Sequence, residues 1–220
     1  MRFHSELRIS APVEVRSARL TDAGALDGAI VHLLLSGDRL AATALDMPIG
    51  DADLPEIAAS DVPFALPRGI QDSPPQTPTS GADMTEVELG PIRSEDIDHA
   101  GHLRFDTILR FSSNIQHIQL NKLGLTPEFA DTHNINRMGV EFRVSPCATP
   151  PLGTPLQGRT WLWKIAGKAL WAMTEITTPD RSSVAAIEMC VVTVDLKTRK
   201  AVAVPDFMYT ALGGEHRGTT

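Results

Sequence analysis

The sequence predicts an α+β chain in which one long helix lies against an antiparallel sheet. Three observations carry this. Ile108, Phe111, Ile115 and Ile118 recur at helical spacing within 103–123. Met138, Val140, Phe142 and Val144 alternate with Gly139, Glu141, Arg143 and Ser145, a period of two. Two further segments, 156–166 and 169–178, meet at Gly167-Lys168, a pair that suits a two-residue hairpin with Gly first.

The elements follow in chain order. Residues 1–70 read as a β-rich unit with strands at 13–20, 29–36 and 39–49 and a hairpin at Gly37-Asp38. The run from Leu40 to Ile49 echoes Val184 to Val192, and Phe64-Ala65-Leu66-Pro67 echoes Val202-Ala203-Val204-Pro205. This reads as a partial internal repeat whose first copy lacks its helix. Residues 71–82 are rich in Pro, Ser and Thr and read as a linker. The main domain is expected at 83–210, with a tail at 211–220. It opens with a strand at 85–93. The helix at 103–123 follows, with Leu103, Phe105 and Leu109 widening its apolar surface, as in a helix largely wrapped by other structure. Gln116, Gln119 and Lys122 fall off the stripe, and Gly124 ends the helix. Strands are expected at 138–144, 156–166, 169–178 and 184–196, with a short extension at 201–204.

Composition bounds the function. The chain has 220 residues and a net charge of -7, which argues against a general nucleic-acid binder. Two cysteines, Cys147 and Cys190, make neither a disulfide framework nor a cysteine-rich metal site. The first six residues lack the apolar core of a signal peptide, and the apolar runs at 29–35 and 184–194 are too short to span a membrane. A soluble, cytoplasmic protein is expected, with no membrane partner.

The chemistry concentrates in Glu95-Asp96-Ile97-Asp98-His99-Ala100-Gly101-His102, directly before the helix. A carboxylate at a helix N-terminus, beside a glycine that admits a substrate to the backbone, suits attack on a polarised carbonyl. Asp98 has a plainer reading as a helix N-cap, and Asp96 as a turn residue. His102 either orients Asp98 or satisfies a loop carbonyl, while His99 reads as surface. A metal set of Asp96, Asp98, His99 and His102 is disfavoured, because the adjacent Asp98 and His99 point apart and no remote His pair is evident. Asn114 and His117 read as solvated or packing residues of the helix. Arg137, Arg143, Arg159 and Lys164 lie on expected strands. Trp161, Trp163 and Trp171 read as core or interface anchors.

A strand, then Asp96-x-Asp98-x-x-Gly101-His102, then an apolar helix closing on Leu123-Gly124, then four antiparallel strands, resembles the hotdog-fold acyl-CoA thioesterases related to 4-hydroxybenzoyl-CoA thioesterase. The resemblance covers 85 to about 205. It implies a hotdog fold with an N-terminal partial, degenerate copy, and hydrolysis of an acyl-CoA or acyl-carrier-protein thioester. Asp98 would be nucleophile or general base, with His102 beside it. Gly101, His102 and Leu103 would receive the carbonyl at the helix N-terminus. Many relatives continue Gly-His-Val-Asn-Asn, whereas this chain continues Leu103-Arg104-Phe105; Arg104 would then contact substrate. The helix also lacks the mid-helix Glu of the other thioesterase subgroup. No cofactor is implied beyond the CoA of the substrate. A homodimer is favoured over an intrachain pseudo-dimer. The competing reading is a non-catalytic hotdog module that binds acyl-CoA or a partner protein.

Overall fold

The computed structural model describes residues 1–5, 10–47, 53–70 and 82–212. The expected linker falls outside these residues except for its last position, as do 48–49 of the third expected strand and most of the tail. The chain divides into two compact units, Met1–Gln71 with Val140–Phe142, and Asp72–Gly139 with Arg143–Thr220.

The first unit contains β1 (Arg2–Phe3), β2 (Val13–Thr21), β3 (Ile30–Ser36), β4 (Arg39–Asp46) and β5 (Glu56–Ala58). Their order is β5-β2-β3-β4-β1, antiparallel except for the parallel pair β2 and β5. The β3–β4 hairpin turns at Gly37, whose φ of +65° an L side chain rarely adopts. Leu20, Ala29, Val31, Val62 and Ala65 form its core. Among the described residues this unit holds 3-10 turns but no α-helix.

The second unit opens with β6 (Met84–Pro91) and a 3-10 turn at Ser94–Asp96, followed by α1 (Phe105–Lys122) and α2 (Pro127–His133). Then come β7 (Ile135–Pro146), β8 (Pro155–Ala166), β9 (Ala169–Thr177) and β10 (Ser183–Asp195), and a 3-10 segment at Asp206–Leu212. The order is β7-β10-β9-β8-β6. The register places Thr85, Thr160, Thr174 and Ile187 in one row across β6, β8, β9 and β10. The extension expected at 201–204 reduces to a single bridge, Val194 with Ala201. No helix among the described residues is long and apolar enough to cross a membrane.

Helix α1 lies on the Thr85–Ile187 face. Asp106 in its first turn and Lys122 in its last both oppose the macrodipole. It closes with the Leu125 N–H on Leu120 O (2.9 Å) and Gly124 at φ +98°, a Schellman ending. Its buried face is Thr107, Ile108, Phe111, Ser112, Ile115, Gln116, Gln119 and Leu120. Each buried Ile, Leu or Phe contributes about 1.5–3 kcal/mol. The helix approaches so closely that a Cβ on Gly158 would lie 2.2 Å from Ile115 Cδ1.

The helix is turned from the orientation expected of it. Gln116 and Gln119 are 2% and 0% exposed, whereas Ile118 is 46% exposed, and Phe105 also faces solvent. The reason is a polar seam between helix and sheet. The Gln119 amide donates to Asp83 O and Thr160 O, both at 3.1 Å. The Gln116 amide donates to Thr174 Oγ1 at 3.1 Å, and the Thr174 hydroxyl donates to Thr160 Oγ1 at 3.1 Å. A buried amide donor that finds an acceptor is stable in a core, and Thr160, Thr174 and Asp83 supply the acceptors, while Gln116 Oε1 has no partner among the described residues. Helix α2 was also not anticipated, although Thr126 caps it by accepting from the Phe129 N–H (3.1 Å) and Pro127 opens it.

Candidate active site

The loop between β6 and α1 is closed by an antiparallel bridge, Ile97 with Leu103. The Asp98 N–H donates to His102 O (2.8 Å) and the Arg104 N–H to Asp96 O (2.8 Å). Five residues, Asp98 to His102, project from this neck. Gly101 has φ +84°, which fits glycine and strains any L side chain.

The two carboxylates differ in their surroundings. Asp96 is buried. Its Oδ2 accepts from the Arg93 N–H (3.0 Å), and its Oδ1 accepts from Arg110 Nη2 (2.8 Å) and from the Thr107 hydroxyl (3.4 Å). It ties the 3-10 turn to the first turns of α1. The Asp98 side chain is 37% exposed. Its Oδ1 accepts from the N–H groups of Ala100 and His102, both at 2.9 Å. Its Oδ2 lies 3.9 Å from Nδ1 of His102, whose ring is 74% exposed. The His102 N–H, the Ala100 N–H and the nearby His102 and His99 rings hold the Asp98 carboxyl below the usual carboxylate range, against a smaller effect of desolvation. Asp98 is not the N-cap of α1, since Arg104 occupies that position without a side-chain cap.

Among the described residues, every backbone donor of the loop except the His99 N–H has an acceptor. The Gly101 N–H donates to Asp98 O (3.1 Å), the His102 N–H to Asp98 Oδ1, and the Leu103 N–H to Thr149 Oγ1 (3.0 Å). Arg104 is turned to Asp106, with Nε on Oδ1 at 3.0 Å and Nη2 on Oδ2 at 3.2 Å. The structure thus gathers Asp98, Gly101, His102 and Leu103 into one tight loop and directs Arg104 along the helix. Thr149 was not anticipated. It lies 46 positions from Leu103, so no local pattern marks the pairing.

Beside this loop lies a groove of about 530 Å³. Leu89, Pro91 and Phe111 give it an apolar wall, and Arg93, Arg104 and Arg110 stand around it. Each arginine is paired with one acid: Glu95 at 3.8 Å, Asp106 at 3.0 Å and Asp96 at 2.8 Å.

The remaining expected residues are used elsewhere. Arg137 donates to Leu125 O and to Asn121 Oδ1, Arg143 pairs with the buried Glu188, and Arg159 pairs with Glu175. Lys164 lies over the Trp163 and Trp171 rings. Trp161 and Trp171 are buried. Asn114 and His117 are on the exposed face of α1. Among the described residues no three His, Cys, Asp or Glu side chains converge as a metal site.

No protein-family model matches the chain, and no curated protein matches it. Solved structures do. A Staphylococcus aureus protein in complex with CoA is 17% identical, with a TM-score of 0.55 over 60% of this chain and 83% of its own. A candidate oleoyl thioesterase from Lactobacillus plantarum is 16% identical, with a TM-score of 0.54 over 62% of this chain and 53% of its own. A 1,4-dihydroxy-2-naphthoyl-CoA thioesterase from Synechocystis is 17% identical, with a TM-score of 0.52 over 60% of this chain and 96% of its own. The chain has a hotdog fold. In this hotdog the Asp98 loop is the connection from β6 into α1, held by the Ile97–Leu103 bridge on one side and by Asp96 on the other.

Proposed function

We propose that the protein hydrolyses an acyl thioester of CoA or of an acyl carrier protein, with Asp98 as the reacting carboxylate. One observation carries this reading: Asp98 Oδ1 is held by two backbone N–H groups, while Oδ2 accepts no hydrogen bond among the described residues and lies 3.9 Å from His102 Nδ1 on a side chain that is 37% exposed. The carboxyl is held below its ordinary range, so at neutral pH it is ionised and a weak base. That favours direct attack. Oδ2 bonds to the carbonyl carbon and the carbonyl π electrons move to oxygen. Their return breaks the C–S bond, and the thiolate leaves to take a proton from water. The resulting mixed anhydride is cleaved by a second water, which restores Asp98 and releases the carboxylate. In the alternative route Oδ2 takes a proton from the attacking water. The groove beside the loop offers an apolar wall and three arginines to the acyl–pantetheine arm and its phosphates.

A second reading, a hotdog module that binds acyl-CoA or a partner protein without turnover, is favoured by the engaged N–H groups of Gly101, His102 and Leu103. Thiol release from a panel of acyl-CoAs and acyl carrier proteins separates the two. Turnover abolished by Asp98→Asn supports the hydrolase, whereas binding without turnover supports the module. Label on Asp98 after one turnover in heavy-oxygen water establishes direct attack with water opening the anhydride at the Asp98 carboxyl carbon, and a trapped acyl–Asp98 adduct establishes it where water enters at the acyl carbon.

A further inference from the structure

We infer that the hydroxyl of Thr149 donates the hydrogen bond that stabilises the thioester carbonyl oxygen as it becomes negative, an inference that rests on the hydrolase reading. The tetrahedral species places charge on that oxygen, and hydrolysis is fast when a fixed donor meets it. Within the loop only the His99 N–H is without an acceptor among the described residues. The N–H groups of Ala100 and His102 go to Asp98 Oδ1, that of Gly101 to Asp98 O, and that of Arg104 to Asp96 O. Arg104 is bound to Asp106 at 3.0 Å. A further donor fixed beside the loop would come from elsewhere in the chain.

Thr149 brings one to the neck of that loop. Its Oγ1 accepts the Leu103 N–H at 3.0 Å, and Leu103 bridges to Ile97, the neighbour of Asp98. A threonine hydroxyl that accepts one hydrogen bond retains one proton to donate. Among the described residues no acceptor takes it. Accepting from an N–H polarises the hydroxyl and strengthens its donation. The segment that carries Thr149 is fixed on both sides. The Cys147 N–H donates to Val184 O (2.9 Å), the Gly153 N–H donates to Ile92 O (2.9 Å), and the Ile92 N–H donates to Thr154 O (3.0 Å). Thr149 is half-buried, so the hydroxyl is held yet reachable. No proton is transferred in this role. The oxygen's charge is held while the carbon is tetrahedral and returns to the C=O bond as C–S breaks.

The test is steady-state hydrolysis of the acyl-CoA panel by the full chain carrying Thr149→Val, Thr149→Ser or Thr149→Ala, with melting temperature measured alongside. Thr149→Val is expected to lower kcat by about 10²-fold with KM within about twofold, the signature of one lost oxyanion donor. Thr149→Ser should restore kcat to within about threefold, because it keeps the hydroxyl. Should Thr149→Val fail to fold, Thr149→Ala carries the same expectation. Variants with a lowered melting temperature and unchanged kcat would mean that Thr149 only pins its loop, and would overturn the inference. Thr149→Ser as impaired as Thr149→Val would overturn it too. A wild-type chain that turns over no thioester overturns the hydrolase reading and this inference together. Turnover lost in Asp98→Asn but kept in Thr149→Val overturns this inference alone.

Discussion

The side chain of Asp96 is enclosed by Arg93, Thr107 and Arg110, while that of Asp98 reaches solvent. Their removal therefore has separable effects. Asp96→Ala leaves a buried backbone N–H and a hydroxyl without their acceptor, and is expected to lower stability by about 2–3 kcal/mol in urea denaturation. Asp98→Asn should leave the denaturation midpoint nearly unmoved and abolish turnover. The pH profile follows from the direction of the Asp98 shift. Its folded pKa is depressed, so the reactive anion persists below the ordinary value of about 3.9, and activity is lost only as pH falls through the folded pKa. The stability that the two N–H bonds lend is present above the unfolded pKa and lost over the same interval. An acid limb of kcat/KM at or above the ordinary carboxylate range would contradict this. At this scale the Asp98 loop was legible, because its residues are contiguous and meet through local turns. Thr149 was not, because a hydroxyl in a Pro-rich segment has no periodic signature and finds its partner only in three dimensions.

Among the elements, β7 was legible from its period-two alternation, although Met138 is exposed and Glu141 is buried, while β8 and β9 were legible from the Gly167-Lys168 turn and β10 from a long apolar run that is buried on both faces. Helix α1 was legible in extent but not in rotation. The apolar stripe nominated Ile118, and the helix buries Gln119 instead, since amides that pair with Thr160 and Asp83 pack as well as apolar groups do. Close approach of α1 to β8 yields a prediction. Gly158→Ala places a methyl against Ile115 Cδ1, and overpacking of this kind costs about 1–3 kcal/mol. Ile115→Val removes that Cδ1. The pair Gly158→Ala with Ile115→Val should be more stable than the sum of the single changes, measured by a double-mutant cycle. Additive losses would show that the backbone, not Ile115, sets the spacing.

For the whole molecule, charge is the property that the sequence declares most directly. The net charge of -7 opposes the polyanionic CoA at long range, and the three groove arginines are already matched by three acids. Salt screens exposed charges over about 8–10 Å near physiological strength. The kcat/KM for acyl-CoA should therefore hold or rise modestly as salt is added. A steep fall would reveal a cationic field and free the arginines from the pairing described above. The first unit was legible as β-rich, through the alternation of its strands and the Gly37 hairpin. Its purpose was not, because a small Ala- and Val-rich core specifies packing and no chemistry.

The glutamine–threonine seam also sets a phase. From Phe105 to Gln119 the helix advances about 21 Å, and each residue turns it by about 100°. Gln119 is clamped to Asp83 and Thr160, so that end has no freedom to rotate. A single inserted or deleted residue between them would be absorbed at the other end, swinging the Asp98 loop to a different side of the helix while the sheet stays paired. Point changes along α1 can drift so long as the seam holds, but its length can change only in whole turns. The Asp98 loop is thus timed by a polar pair some four turns away.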